Sequence, residues 1–182
     1  MTRIPPPERD DMDADQQAVY DRIVGDNGRV GFGPAIGYAH SGPVWDLHNV
    51  SSKHLLDCSL TAPQVRIISL MTVHHWNAAY PWSAQAKTAQ NAGLDTTIIE
   101  AINAGEQPDF ANDDDAAVHA VTRELLATGN LSDEGFKAAE ATLGHRRMVE
   151  IVHTIGHFCT TGMMANIVGC VPPDDAVSRL KS

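Results

Sequence analysis

The sequence is poor in cysteine and has no two cysteines close together. Cys58, Cys159 and Cys170 are widely separated, and no CxxC motif occurs in the 182 residues. An odd number of cysteines at long spacing makes neither a disulfide framework nor a cysteine-rich zinc site. This cysteine usage is typical of a reducing compartment, so the sequence predicts a cytoplasmic protein.

Long apolar runs and an excess of basic residues are also absent. No apolar run approaches the roughly 20 residues of a membrane span, and the N-terminal MTRIPPPERDD lacks the apolar segment of a secretory signal. Lys and Arg number 13 against 23 Asp and Glu, which gives a net charge of −10. A chain with this charge has no basic footprint for nucleic acid and no attraction to anionic lipid. We therefore expect neither nucleic acid nor a membrane as a partner.

What is present indicates a helical globular protein. Hydrophobic residues make up 43% of the chain, and its length suffices for one domain with its own core. Apolar residues recur at helical spacing, and no alternating run indicates a strand. The sequence predicts an all-α bundle of seven or eight helices over residues 14–182. The proline-rich residues 1–13 are expected to form an extended N-terminal arm.

Capping residues and helix breakers mark the expected helix ends. Thr61, Asp95 and Ser132 each suit the position before a first helical turn. Residues 25–34 are expected to form a glycine-rich turn, and residues 106–115 a solvated loop. The predicted helices cover residues 14–24, 35–57 with a break at 41–43, 62–79, 81–93, 96–102, 116–128, 133–144 and 146–168.

The densest run of chemically active residues is VHHWNAAYPWSAQ, residues 73–85. It joins the end of one predicted helix to the start of the next, and unpaired N–H groups at a helix N-terminus favour anions such as a carboxylate. One interpretation is a substrate pocket. The other is that both tryptophans are core aromatics and that the tyrosine caps the turn. The pocket candidates are His74, His75, Trp76, Tyr80, Trp82 and Gln85.

Two histidines of the long C-terminal helix share one face. His153 and His157 are four residues apart, so acid–base or hydrogen-bonding use in a pocket is one interpretation. Satisfied core or interface histidines are another. A catalytic metal would need a third ligand, and the sequence has no HExxH. No metal site is predicted, and the remaining histidines, each taken alone, indicate structural or exposed positions.

Several segments together resemble one known family. They are RIPPP at 3–7, AVYDRIVG at 18–25, GPAIGYAHSGP at 33–43, HWNAAYPWSAQAKTAQNAGL at 75–94, AAVHAVTRELLATGNLSDEGF at 116–136, VEIVHTIGHF at 149–158 and MMAN at 163–166. Their order and spacing resemble the carboxymuconolactone decarboxylase family, which includes the alkylhydroperoxidase AhpD-like proteins. The resemblance implies an AhpD-like helical bundle that assembles as a trimer or hexamer, with sites near the subunit contacts.

The family's functional motif is largely replaced. Where the redox branch has a Glu, two cysteines and a His, this chain has Arg66, Ala78, Pro81 and Gln85. Without these thiols no thiolate chemistry is available, so a CxxC peroxidase is not expected. The non-redox branch has YEWxxH where this chain reads YPWSAQ, residues 80–85. Proline and glutamine cannot act as a general acid or base near neutral pH.

The resemblance also implies Gly and Tyr at the places of His153 and His157, so two titratable groups are gained as two are lost. We therefore expect a retooled, cofactor-independent lyase for a small organic acid, lactone or unsaturated carbonyl compound. Its reaction would be decarboxylation, other C–C cleavage or isomerisation. The alternatives are a non-catalytic oligomeric ligand-binding or scaffold protein, and a metal-dependent enzyme with histidine ligands.

The expected roles follow from side-chain chemistry. Arg66 is predicted to bind a carboxylate or stabilise an oxyanion. His75, His153 or His157 is predicted to transfer the proton. The remaining candidates are predicted to orient or enclose the substrate: His74, Trp76, Tyr80, Trp82 and Gln85.

Overall fold

The computed structural model describes residues 2–24 and 30–181, and in these ranges it consists of helices and loops without a strand. The all-α prediction is confirmed, and the helix count agrees with it. The eight helices are α1 (Ala14–Ile23), α2 (Ala35–Tyr38), α3 (Gly42–His54), α4 (Ala62–His75), α5 (Ala79–Asn91), α6 (Thr96–Asn103), α7 (Asp113–Thr128) and α8 (Asp133–Val168).

Helix α4 is the centre of the molecule and contacts α5, α6, α7 and α8. Its N-terminus is fixed locally, because the Thr61 side chain accepts a hydrogen bond from Gln64 N in a capping box. Most of its side chains are buried, and Ile67, Ile68 and Leu70 are fully so. Polar residues on α4 therefore stand out, since each must find a partner inside the bundle.

Helix α8 is interrupted at Gly144, where φ is 70° and ψ is 165°. Glycine adopts this backbone conformation without the steric penalty of a side chain, which is why the predicted helix end at Gly144 agrees with the structure. The stretch after Gly144 packs one face on the bundle. Four apolar side chains of the same stretch are exposed instead: Val149, Val152, Met163 and Ile167.

The junction between α4 and α5 differs from the prediction. Helix α4 ends at His75 rather than near residue 79, because Asn77 takes a left-handed φ of 47°. Asparagine tolerates this conformation better than most residues. Helix α5 accordingly begins at Ala79, and Pro81 lies in its first turn, as the sequence indicated.

The start of α7 also differs from the prediction. Asn112 caps the helix by accepting a hydrogen bond from Asp115 N, so the aspartates expected in the loop form the first helical turn. Their negative charge is favourable there because it faces the positive end of the helix dipole.

The N-terminal arm lies along the bundle. The backbone N–H of Arg3 donates to Val168 O at 2.7 Å, and His40 Nε2 lies 2.9 Å from Pro5 O. A 3₁₀ turn at Arg9–Asp11 interrupts the expected extended course. Of the predicted glycine-rich turn, residues 25–29 lie outside the described residues. No helix in the described ranges combines the length and hydropathy that a membrane span requires.

Candidate functional site

A cavity of about 330 Å³ opens between α3 and α8. Both histidines of the predicted pair line it, together with histidine, serine and tyrosine side chains that the sequence did not single out. We call it the α3–α8 cavity. Its lining residues are Tyr38, Val44, Leu47, His48, Ser51, His153, Gly156, His157 and Thr160.

Ser51 connects the two predicted histidines. Its Oγ lies 3.0 Å from His153 Nε2 and 2.8 Å from His157 Nδ1. A hydroxyl donates one proton and accepts from other donors, so Ser51 can donate to one ring while the other donates to it. His153 is exposed and His157 is half-buried. The three side chains therefore form a hydrogen-bonded chain from solvent into the cavity wall.

Aromatic stacking continues this cluster toward α2. The ring of His48 stacks on His157 with centroids 4.4 Å apart, and Tyr38 stacks on His48 at 3.9 Å. Tyr38 is 3% exposed, and within the described residues its hydroxyl has no hydrogen-bond partner. A buried hydroxyl without a partner is unfavourable. Because Tyr38 lines the cavity, a polar atom of a ligand could supply that partner.

The half-buried rings of His48 and His157 are uncharged at neutral pH. Burial, with smaller contributions from His48, His153 and Arg66, lowers the pKa of His157 to about 3. Burial also lowers the pKa of His48 to about 4. A neutral imidazole carries one donor and one acceptor nitrogen. The cavity therefore presents both functions to a ligand rather than a fixed positive charge.

Two side chains that the sequence analysis singled out, Arg66 and Gln85, are in contact in the structure. Arg66 Nη1 donates to Gln85 Oε1 at 2.7 Å. Arg66 forms no ion pair within the described residues, and burial lowers its pKa. A guanidinium has five N–H donors, so the single hydrogen bond to the Gln85 side chain leaves other donors of Arg66 available. The α3–α8 cavity is not lined by these side chains, yet the Arg66 charge acts on His157.

His74 and His75 lie elsewhere. They line a second cavity, of about 280 Å³, between α4, α6 and α7, which we call the α4–α7 cavity. Arg66 and His75 are nine residues apart on α4, or about 13 Å along the helix axis. His153 and His157 line the α3–α8 cavity instead. The structure therefore places His75 in a different cavity from those two histidines.

The aromatic candidates also separate. Tyr80 lines a third cavity, of about 430 Å³, with residues of the C-terminal segment. Trp76 is 38% exposed, and its Nε1 lies 3.1 Å from Cys159 Sγ. Trp82 is 0% exposed, and its Nε1 donates to Ser178 Oγ at 3.1 Å. For Trp82 the structure matches the core interpretation.

We expect Trp82→Ala to lower the free energy of unfolding by about 3–5 kcal/mol, the usual cost of emptying a buried aromatic site. Trp76→Ala is the matched control, and we expect a clearly smaller loss because that ring is partly exposed. Urea unfolding followed by circular dichroism measures both values. Equal losses for the two variants would contradict the core assignment of Trp82.

A histidine-ligated metal centre receives no support from the geometry. In residues 2–24 and 30–181 no three His, Cys, Asp or Glu side chains stand close enough together to hold a metal ion. Cys58, Cys159 and Cys170 are all free thiols.

Comparison with known proteins supports the fold. The sequence matches no protein-family model and no curated protein. The structure is similar to the crystal structure of an alkylhydroperoxidase AhpD core, a peroxidase-related protein from Ralstonia eutropha JMP134. The TM-score is 0.72 at 16% sequence identity, over 96% of this chain and 93% of the other. The chain therefore has the AhpD-like all-helical fold that the sequence resemblance implied.

Proposed function

We propose that this protein is a cofactor-independent acid–base enzyme whose site is the α3–α8 cavity. Its substrate is a small organic acid, lactone or unsaturated carbonyl compound. The observation that carries the proposal is the Ser51 hydroxyl, held between His153 Nε2 and His157 Nδ1 in the wall of a cavity of ligand size. Hydrogen-bonded nucleophile-and-base groups that converge on a cavity are the usual signature of an active site.

The proposed reaction is a lyase step such as decarboxylation. The bond between the carboxylate carbon and the substrate breaks, CO₂ leaves, and the electron pair passes into a conjugated carbonyl as an enolate. The substrate thus stores the electrons itself, and no cofactor is needed. In this proposal Tyr38, which lines the cavity and whose hydroxyl has no partner among the described residues, donates to the enolate oxygen. The nearby charge of Arg66 favours the anion.

The proton that completes the reaction reaches the substrate carbon from His157. Ser51 donates a proton to His157 as it accepts one from His153, which changes the tautomers of both rings. His153 is exposed and recovers its proton from solvent. One proton enters from water and one is added to the product, so the number of protons on the site is restored. Proton exchange with solvent then returns both rings to their starting tautomers before the next turnover.

A non-catalytic ligand-binding protein is the second candidate, and one observation favours it. Arg66 and Gln85, which hydrogen-bond at 2.7 Å, stand where the resembled family has its acid and base. The α3–α8 cavity would then bind the same class of molecule without changing it.

The two candidates are separated by exposing the protein to γ-carboxymuconolactone. Melting temperature reports binding, and CO₂ release beside a no-enzyme control reports turnover. A melting shift with CO₂ release supports the enzyme, and a shift without release supports the binding protein. The same assay in chelator tests metal dependence, and loss of turnover there would contradict the cofactor-free proposal.

We also propose that the protein is a homo-oligomer, a trimer or hexamer, in which another copy covers the rim of the α3–α8 cavity. Val44 and Leu47 line the cavity and are exposed, as are Val149 and Val152 on α8. Contiguous exposed apolar side chains on a soluble protein are typical of protein interfaces. Covering them would shield the inner rings of the cavity, His48 and His157, from bulk water and strengthen their hydrogen bonds.

Val152→Glu is expected to break this assembly into smaller species, because the new carboxylate would have to be buried without a partner. Val171→Glu is the matched control, since Val171 is exposed outside both helices. Light scattering after size-exclusion chromatography measures the mass. A monomeric wild type, or a Val152→Glu variant of wild-type mass, would contradict the proposed assembly.

A further inference from the structure

The α4–α7 cavity is a built pocket that the proposed reaction does not use. Its histidines come from the end of α4 and from α7, and none of its residues lines the α3–α8 cavity. Its lining residues are Met71, His74, His75, Ile102, Gly105, Glu106, Gln107, His119, Arg123, Leu126 and Ala127.

His119 is the buried polar group of this cavity. It is 4% exposed, and within the described residues its Nδ1 has no hydrogen-bond partner. Burial, with a smaller contribution from Arg123, lowers the pKa of His119 to about 4. The ring is therefore neutral at pH 7 and keeps unused hydrogen-bonding capacity. A buried polar atom without a partner costs free energy that a bound polar group could recover.

Arg123 supplies the charge. It follows His119 by four residues on α7, so the two side chains share one helix face. Arg123 Nη1 donates to Gln107 Oε1 at 3.1 Å, and the described part of the chain offers it no ion pair. Glu106 is the acidic residue of the lining, and it is exposed. The guanidinium thus retains donors in the planar arrangement that suits a carboxylate.

Apart from His74 and His75, the remaining walls are apolar. Met71, Ile102 and Leu126 come from three different helices and enclose the space beside the polar groups. Its volume of about 280 Å³ lies near the lower end of ligand pockets, which span about 300–1,000 Å³. A ligand of this site is therefore small, with a body no larger than one or two rings.

We propose that the α4–α7 cavity is a second binding site, specific for a small carboxylate with an apolar body. The carboxylate pairs with Arg123, the body packs between Met71, Ile102 and Leu126, and His119 hydrogen-bonds to the ligand. This site is separate from the α3–α8 cavity. The proposal of a carboxylate site therefore does not depend on whether the α3–α8 cavity is catalytic.

Benzoate is the probe, and benzamide is its neutral isostere. Calorimetric titration measures the affinity of each, and ¹⁵N chemical shifts of the imidazoles report contact with His119. We expect benzoate to bind at least ten times more tightly than benzamide, about the size of one charge-assisted hydrogen bond. We also expect benzoate to move the His119 signals and not those of His153.

Arg123→Gln is expected to weaken benzoate binding about ten-fold or more, and Arg123→Lys to restore part of it. Lys137→Gln, an equal loss of charge at an exposed position of α8, should leave binding unchanged. Ser51→Ala should also leave it unchanged, because Ser51 lines the other cavity. Arg123 is exposed, so its variants are expected to fold.

Three results would overturn the proposal. One is the absence of benzoate binding, and another is equal affinity for benzoate and benzamide. The third is binding that is lost in Ser51→Ala and kept in Arg123→Gln, which would place the carboxylate in the α3–α8 cavity. None of the three decides whether the α3–α8 cavity turns over a substrate, so the two proposals fail separately.

Discussion

His157→Gln should reduce turnover in the α3–α8 cavity by about 100- to 10,000-fold, the range that a general acid or base contributes. Glutamine can hydrogen-bond to Ser51 but cannot exchange a proton near neutral pH. The loss should therefore appear in kcat more than in KM, because transition-state proton transfer is removed while the cavity keeps its shape. Rates of CO₂ release from γ-carboxymuconolactone measure both constants.

His145→Gln is the matched control for this variant. His145 lies on the same helix, is exposed, and pairs with Glu140 at 2.7 Å, so its loss should leave turnover unchanged. Circular dichroism of both variants at pH 7 checks that they fold. A folded His157→Gln variant with wild-type kcat would remove His157 from the mechanism.

The second large effect is a steep loss of stability in acid. Folding lowers the pKa of His48 and His119 from 6.5 to about 4, and that of His157 from 6.5 to about 3. Between these values the unfolded chain binds more protons than the folded one, so stability falls as pH falls. The stability that these three histidines contribute is complete above pH 6.5. It is lost as the pH falls toward their pKa values in the folded protein.

Each fully buried histidine of this kind contributes up to about 1.4 kcal/mol per pH unit in that window. His119 is nearly fully buried, whereas solvent reduces the contribution of His48 and His157. Urea unfolding at pH 7 and at about pH 5 measures the slope. His119→Gln, which does not titrate, should flatten it. An unchanged slope in that variant would show that His119 is not a neutral buried ring.

Helix ends were predictable because their chemistry is local. Thr61, Asp95 and Ser132 each accept a hydrogen bond from a backbone N–H of the helix that follows, as their residue types indicate. Gly144 breaks its helix for an equally local reason. Asn77 misled the prediction at the end of α4, since an asparagine inside a polar stretch gives no sign that it will take a left-handed conformation.

The candidate site was only half predictable. Spacing alone put His153 and His157 on one helix face, but Ser51 is 102 residues from His153 along the chain, and only packing brings α3 against α8. His48 and Ser51 are three residues apart on one helix face, which is the signal that could have drawn attention to them. Nothing local indicated that this face meets α8.

Trp82 is a predicted pocket residue that lies in the core of the structure. Its neighbours in the sequence are polar and aromatic residues of a kind that also line pockets, which favoured a role in substrate enclosure. In the structure the ring is instead buried in the main core, and its indole donates to the hydroxyl of Ser178, 96 residues away. Whether an aromatic residue lies in the core or in a pocket wall depends on such distant contacts.

The measurement that tests the central claim most directly is CO₂ release from γ-carboxymuconolactone by the wild type and by the double variant His153→Ala/His157→Ala. If the α3–α8 cavity is the catalytic site, the wild type turns over well above a no-enzyme control, and the folded double variant falls to the control rate. Equal turnover by the wild type and the double variant would contradict the account.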